Sequence, residues 1–271
     1  QRTSEEQMQL ISDARFVMQS IAFDVRHAGI RGGMNETKLI ACKKDSELSC
    51  PPVVVTQLAA VINDCDSTST NDWAIDLDRP VIAFNGNNPY TATCATEGYK
   101  PGTDVLGLHY ADTISISTAG LAAGVVYVRS NIRSGMVFVG DTYPADTGSY
   151  KWIDDPLDSV TRNFPLRAVV YYVSEYTDDP SENPQIPSLR KVELGAGPAM
   201  NDSVLIPGVE DFQLEFGLDT TGDFQVNSYV SADTVTNNDW LNGNVIAVKI
   251  WLLMRAENPD VMVLAETKRS G

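Results

Sequence analysis

An uninterrupted helical pattern at the N-terminus most constrains how this chain can fold. Apolar side chains recur at steps of three and four through residues 4–28, with no internal Pro or Gly, at Leu10, Ala14, Val17, Ile21, Val25 and Ala28. The pattern predicts a helix that begins near Ser4 and ends at Gly29. At ~1.5 Å per residue it is a rod about 37 Å long. It is either a core helix of a globular domain or a spine whose N-terminal half continued into a removed anchor.

Short β-type runs separated by turn residues follow the helix and predict an antiparallel sheet. The clearest alternation is in residues 209–218, where apolar side chains at every second position predict one buried face and one solvent-exposed face. A loop is predicted at residues 176–187, which contain three prolines. The predicted fold class is therefore α+β. The predicted strands are residues 53–58, 81–84, 104–110, 113–118, 125–129, 136–139, 166–175, 189–194, 209–218, 245–255 and 261–267.

Composition and charge exclude several classes of protein. The chain has 271 residues, 43% of them hydrophobic, which suffices for a real core. Lys and Arg number 20 against 36 Asp and Glu, so the net charge of -16 argues against a broad surface for nucleic acid or anionic lipid. No apolar run is long enough to span a bilayer. Because the chain opens at Gln1 directly on helical sequence, we expect that an upstream segment was removed.

Four cysteines lie in polar sequence within the first 100 residues, at Cys42, Cys50, Cys65 and Cys94. This placement favours two disulfides in an oxidising compartment. A metal site is the weaker alternative, because no CxxC pair occurs and neither histidine stands at ligand spacing from a cysteine. Of the three possible pairings, short sequence separation favours Cys42 with Cys50 and Cys65 with Cys94.

The motifs that usually carry catalysis or cofactor binding are missing, so we predict that the chain is not an enzyme. There is no P-loop, HExxH or GxSxG sequence. The pair Gly195 and Gly197 precedes Pro198 and cannot open a dinucleotide-binding helix. His27 is predicted on the last helical turn, where its ring can meet the negative end of the dipole, and His109 in an alternating strand.

One acidic segment is a candidate binding site for a hard cation such as calcium. Asp219, Asp223 and Asn227 surround a glycine-containing loop, and such a loop can bring oxygen ligands together for calcium. The segment departs from the EF-hand pattern, and Val230 occupies the place of the closing Glu. We predict a plain turn between strands and no required cofactor, and we keep calcium as the alternative.

Several segments, in order, resemble the PilW-type minor pilins of type IV pili. Residues 13–29 are similar to the helix that follows the membrane anchor in that family, and residues 102–110 resemble its next strand. Four later segments, residues 170–173, 187–190, 206–216 and 245–255, are similar to later strands of the family. The resemblance therefore spans nearly the whole chain.

The resemblance implies a non-enzymatic subunit with a pilin-like fold, similar to the J-type pseudopilins of type II secretion. Residues 1–30 would be the C-terminal half of the spine helix, and residues 31–271 a β-rich domain with a cysteine-containing insertion at 42–94. The implied partners are other minor pilins, the major pilin and a PilY-type tip adhesin. The implied location is the inner membrane, through the missing anchor, with a periplasmic domain, and then the pilus tip.

In such a subunit the helix has two uses. The stripe of Leu10, Ala14, Val17, Ile21 and Val25 is expected to cover the sheet, and Met8 and Ile11 to meet neighbouring helices. Three further side chains widen the apolar surface, either for neighbours or for a wide core contact: Phe16, Met18 and Phe23.

The rival function is a calcium-dependent or carbohydrate-binding β module. It would use the Asp219 loop and exposed aromatic side chains such as Trp152 and Trp240. DNA uptake is a third possibility, but the acidic charge argues against direct binding of nucleic acid.

Overall fold

The structure is a computed structural model that describes residues 2–59, 61–66, 72–142 and 162–255. Within these ranges the chain forms a long N-terminal helix and two β-sheets, so the predicted α+β class is confirmed. The predicted strand at residues 261–267 and Trp152 lie outside the described residues.

Helix α1 (Arg2–His27) is the first element of the chain. It begins before the predicted start, so Ser4 lies inside the helix and is not its N-cap. It ends as predicted, because Gly29 adopts a left-handed backbone conformation, with φ of 84°, that suits glycine. The N–H of Gly29 donates a hydrogen bond to the carbonyl of His109 at 3.0 Å. This bond ties the end of the helix to a strand of the larger sheet.

The other elements are short helices and strands. The helices are α2 (Pro52–Leu58) and α3 (Asn237–Asn242), and 3₁₀ turns lie at Thr37–Leu39, Trp73–Ile75, Thr118–Gly120 and Gly140–Thr142. The strands are β1 (Ile40–Ala41), β2 (Val81–Phe84), β3 (Val105–Ala111), β4 (Val126–Ser130), β5 (Gly135–Val139), β6 (Arg162–Ser174), β7 (Ser188–Gly195), β8 (Ala199–Pro207), β9 (Val209–Leu218), β10 (Ser228–Val230) and β11 (Val245–Met254).

Strand β6 is the centre of the larger sheet, which joins β1 to β8. One edge of β6 pairs with β3, and β3 pairs with β2. The N-terminal part of β6 pairs with β4, and its C-terminal part pairs with β7, which continues to β8. Strand β4 continues to β5, and β5 pairs with β1.

The prediction of a purely antiparallel sheet is wrong at one edge. Strands β1 and β5 are parallel, whereas every other pairing of the described strands is antiparallel. The two strands lie far apart in the sequence, so no hairpin joins them and the connection permits the parallel direction. The sheet is mixed.

The smaller sheet has the order β10, β9, β11. Its central strand has the bounds predicted from the sequence, and its apolar side chains Phe212, Leu214, Phe216 and Leu218 are all buried as the alternation predicted. On the opposite face Gln213 and Glu215 are partly exposed.

Two predicted strands are not strands in the structure. Residues 53–58 form helix α2, in which Pro52 stands in the first turn and the buried side chains, Val54 and Leu58, are four residues apart. Residues 113–118 make a single bridge, between Ile116 and Asn163. The β-branched run in α2 favours a strand locally, but burial at helical spacing decides the outcome.

The larger sheet is buried on both faces because two different layers cover it. Along β6, Val170 and Tyr172 face a core shared with α2 and the cysteine-containing segment. Tyr171 and Val173 face a second core, formed with α1 and the smaller sheet. Helix α1 therefore packs against the second core.

Two disulfides hold the cysteine-containing layer, and their pairing is the predicted one. Cys42 is joined to Cys50, eight residues along the chain, and Cys65 to Cys94, 29 residues along. Three of these sulfur atoms belong to residues of the first core, and Cys50 packs against it. The described cysteines include no free thiol.

Candidate interaction surface on the N-terminal helix

The stripe predicted to face the sheet includes the two helix residues that are most deeply packed. Val17 and Ile21 have no exposed surface and lie in the second core with side chains of β3, β6 and β9. Val25 packs against the same cluster, whereas Leu10 and Ala14 are half-buried toward the N-terminal end. Burial is thus strongest in the second half of the helix.

A buried carboxylate, Asp24, joins the helix to the sheet beside this stripe. The Tyr110 hydroxyl of β3 donates a hydrogen bond to Asp24 Oδ1 at 2.6 Å, and the Tyr171 hydroxyl of β6 donates one to Asp24 Oδ2. The ammonium group of Lys191, on β7, lies 3.4 Å from Asp24 Oδ2. One side chain of the helix is therefore bonded to three strands.

The environment of Asp24 raises the pKa of its two tyrosine partners further above the physiological range. Burial, together with hydrogen bonding and the adjacent Asp24 carboxylate, raises the pKa of Tyr110 and of Tyr171. Both hydroxyls therefore stay protonated and keep donating to Asp24 over the physiological pH range.

The opposite side of the helix is exposed and unusually apolar. Met8 is 62% exposed and Ile11 is 53% exposed, and Phe16, Met18 and Phe23 are also exposed. The interpretation that the last three fill a wide core contact is therefore wrong. We call the surface formed by these five side chains the outer face of α1. An exposed apolar surface of this kind is typical of an interaction site.

A cleft of about 570 Å³ lies between the outer face and the larger sheet. Phe16 and Phe23, two turns apart, line it from the helix. Arg167 lines it from the sheet, where its guanidinium is paired with Asp112 at 2.8 Å. The cleft is therefore apolar on the helix side, at Phe16 and Phe23, and charged on the sheet side, at Arg167 and Asp112.

The two histidines have structural contacts. His27 donates from Nδ1 to the carbonyl of Phe23 at 2.6 Å, on the last helical turn as predicted. His109 is buried in β3, with Nδ1 bonded to the carbonyl of Arg79 at 3.1 Å and its ring packed 4.2 Å from Trp73. Burial lowers the pKa of His109 to about 4. The ring is therefore neutral near pH 7.

The segment weighed as a calcium site forms a turn held by its own backbone. Asp219 Oδ1 accepts hydrogen bonds from the N–H groups of Thr221 and Gly222, and Oδ2 accepts one from Phe224. Asn227 Oδ1 accepts a bond from the N–H of Thr220 at 2.7 Å. Although burial opposes the shift, these backbone bonds lower the pKa of Asp219.

Asp223 Oδ1, the third candidate ligand, accepts a bond from the N–H of Gln225 at 3.0 Å. The turn thus engages both carboxylate oxygens of Asp219, one oxygen of Asp223 and the amide oxygen of Asn227. In the described part of the chain no group of three or more His, Cys, Asp or Glu side chains is arranged to hold a metal ion.

Trp240 does not provide the exposed aromatic platform predicted for a carbohydrate site. Its ring is half-buried and meets Phe216 edge-on, with ring centroids 4.9 Å apart. Helix α3 holds it there, because Thr236 and Asp239 form a capping box at the start of that helix.

The sequence reasoning missed Asp24 and its partners Tyr110, Tyr171 and Lys191. The available signal was that Asp24 follows Ile21 by three residues, which places an acid beside the buried stripe. The identity of its partners depends on strands that are far apart in the sequence.

Helix α1 is thus bonded to the larger sheet by one face and exposes an apolar outer face. Residues 170–269 match the family model of PilW, described as Type IV Pilus-assembly protein W. The match confirms the resemblance inferred from the sequence, over less than half of the chain. It begins within β6 and covers β7 to β11. No curated protein and no solved structure matches the chain.

No helix within the described ranges has both the length and the apolar character needed to cross a bilayer.

Proposed function

We propose that this chain is a structural minor pilin, which joins other minor pilins in the complex that primes assembly of a type IV pilus. The observation that carries the proposal is the PilW match over residues 170–269. The long helix with its apolar outer face and the two disulfides, which suit an extracytoplasmic protein, support it.

In this mechanism the helix holds its own domain and contacts its neighbours with different side chains. Val17, Ile21 and Asp24 bind the sheet, so they are unavailable to partners. Met8 and Ile11 lie toward the N-terminal end, where burial by the sheet decreases, and they contact helices of adjacent subunits. Covering these side chains in an assembly removes apolar surface from water.

The partners we propose are other minor pilins, the major pilin and a PilY-type tip adhesin. The location we propose is the inner membrane, with a periplasmic domain, before assembly and the pilus tip afterwards. Neither catalysis nor a bound cofactor is part of this proposal.

The calcium-dependent or carbohydrate-binding module has less support. Asp219 and Asn227 are engaged by the backbone of their own turn, and Trp240 packs against Phe216. No second candidate function is therefore advanced.

Deletion of the gene in its own bacterium tests the proposal. We expect loss of surface pili, with the major pilin retained in the inner membrane, and restoration by the full-length gene. The full-length protein should also copurify with coexpressed minor pilins. A deletion strain with normal pili and a normal tip complex would overturn the proposal.

A further inference from the structure

Two arginines run along the middle of the outer face of α1. Arg15 and Arg26 are both exposed, and they are eleven residues apart. At 3.6 residues per turn and ~1.5 Å rise, they lie about 20° apart around the helix and about 16 Å apart along it. Met8 lies on the same line. Arg26 is displaced by about 140° from the buried Ile21, so the line points away from the sheet.

Apolar side chains flank this arginine line on both sides. Ile11 and Met18 lie on one flank, and Phe16 and Phe23 on the other, by the same helical geometry. All four are exposed. The outer face is therefore a basic line between two apolar strips, and such a pattern fits a second helix laid along it.

The arginines have no counter-charge within the described residues. No acid stands three or four positions from Arg15 or Arg26 on the helix, and no ion pair of the described chain includes either residue. Elsewhere in this chain of net charge -16, cations such as Lys43, Arg167 and Arg190 are paired with aspartates. The two arginines on the outer face thus differ from these paired cations, although the molecule as a whole is strongly acidic.

We infer that Arg15 and Arg26 select the partner of this face, which is the helix of a different pilin subunit that carries carboxylates about eleven residues apart between apolar side chains. The inference rests on the proposed function and adds the chemistry of the partner. A helix with such carboxylates pairs with both guanidinium groups when the face is covered. A helix without them would bury two uncompensated charges, which is costly, so the same residues reject it.

A second copy of this chain does not fit this site. Parallel packing of two identical outer faces would place the arginines of one copy against those of the other. The acids that share the eleven-residue spacing, Asp13 and Asp24, are on the opposite side of the helix, and Asp24 is buried against Tyr110 and Tyr171. The partner is therefore another subunit.

Coexpression with the pilin subunits of the same bacterium, one at a time, tests the inference. The probe is each full-length subunit, and copurification with this full-length chain is measured at low and high salt. The variant is Arg15→Glu with Arg26→Glu. The control, Lys38→Glu with Arg162→Glu, changes the net charge equally at two exposed cations outside α1. The neutral variant Arg15→Gln with Arg26→Gln removes the attraction without adding repulsion.

We expect the wild type and the control to retain one subunit equally, and the double glutamate variant to retain it at least about tenfold less. Retention by the wild type should fall as salt rises. Replacement of two acidic residues on the partner helix by arginine should restore its binding to the glutamate variant.

Five results would overturn the inference. Equal retention by the glutamate variant, or equal loss in the control, would show that the arginines do not select the partner. Loss with Met8→Glu and Ile11→Glu but not with the arginine variants would leave the proposed function standing without this selectivity. Arginine-dependent binding to phosphatidylglycerol vesicles, with unchanged subunit binding, would assign the face to a membrane. If the wild type binds no subunit, the proposed function itself fails.

Discussion

The carboxylate of Asp24, on the N-terminal helix, accepts a hydrogen bond from the hydroxyl of Tyr171, at the centre of the larger sheet. Both side chains are buried. Because Tyr110 and Lys191 approach the same carboxylate, this site joins the helix to three strands by charge and hydrogen bonding. It complements the apolar contact made by Val17 and Ile21.

Removal of this carboxylate should destabilise the isolated domain. Asp24→Ala removes the acceptor of two buried hydroxyls and one of the two carboxylate partners of Lys191, which keeps Glu193. We therefore expect a loss of about 3–5 kcal/mol in the free energy of unfolding. Asp24→Asn keeps one acceptor oxygen and should cost less. Asp13→Ala, three turns earlier on the helix, is the matched control and should change stability by less than about 0.5 kcal/mol. Denaturant unfolding measures all three, and equal stability of Asp24→Ala and Asp13→Ala would show that the site contributes nothing.

The two disulfides should contribute unequally to stability. In the chain-entropy model a bridge stabilises by restricting the unfolded chain, and the effect grows with the loop it closes. Replacement of Cys42 and Cys50 by serine should cost about 2.5 kcal/mol, and replacement of Cys65 and Cys94 about 3.5 kcal/mol. Thermal unfolding of the two double variants checks the order. A larger loss from the shorter loop would indicate that packing in the first core, rather than loop closure, dominates.

Two buried groups should oppose each other in the dependence of stability on pH. Burial raises the pKa of Asp64 from 3.8 to about 6, so its contribution to stability is greatest at low pH and is lost as pH rises from about 4 to 6. Burial lowers the pKa of His109 from 6.5 to about 4, so its contribution is present above pH 6.5 and is lost as pH falls toward 4.

Single substitutions should separate these two effects. As pH falls from 7 to 4, the stability of His109→Gln relative to the wild type should increase by up to about 3 kcal/mol. Over the same range, the stability of Asp64→Asn relative to the wild type should decrease by up to about 3 kcal/mol. Denaturant unfolding at a series of pH values gives both differences. Parallel curves for the wild type and both variants would contradict the assigned shifts.

Chelation should leave the fold unchanged. The Asp219 turn is closed by backbone N–H groups that bond to its carboxylate, so we expect that the turn forms without a cation. We expect the same melting temperature with EDTA and with added calcium, and a lower one for Asp219→Ala under both conditions. Asp223→Ala is the comparison, because its carboxylate makes a single backbone bond. A melting temperature that falls with EDTA, recovers with calcium and becomes insensitive in Asp223→Ala would establish a calcium site.

The parts of the fold that sequence predicted well are those with a repeated local pattern. The bounds of β9 were predicted to the residue, and those of α1 within two residues, because apolar spacing alone specifies which face is buried. Helix α2 was predicted as a strand, since Val53, Val54 and Val55 favour β structure locally and only the surrounding layer selects the helix.

Some features of the candidate surface could likewise be predicted from the sequence, and others could not. The deep burial of Ile21 and the exposure of Met8 follow from helical periodicity, so both could be predicted from the sequence. The partners of Asp24 could not, because Tyr110, Tyr171 and Lys191 come together only through the pairing of β3, β6 and β7. Such pairing is set by the whole sheet rather than by any local pattern.

The most direct test of assembly through the outer face of α1 compares substitutions on the two sides of this helix. One should affect the stability of the domain and the other its assembly. Ile21→Asp buries an unpaired charge in the second core and should destabilise the isolated domain by about 3–5 kcal/mol. Met8→Glu with Ile11→Glu changes two exposed side chains, so the isolated domain should unfold within about 1 kcal/mol of the wild type. The decisive measurement is piliation of cells that carry this double variant at normal protein level. We predict a folded protein, weak copurification with the other minor pilins and few surface pili, whereas normal pili in cells with the folded double variant would contradict assembly through this face of the helix.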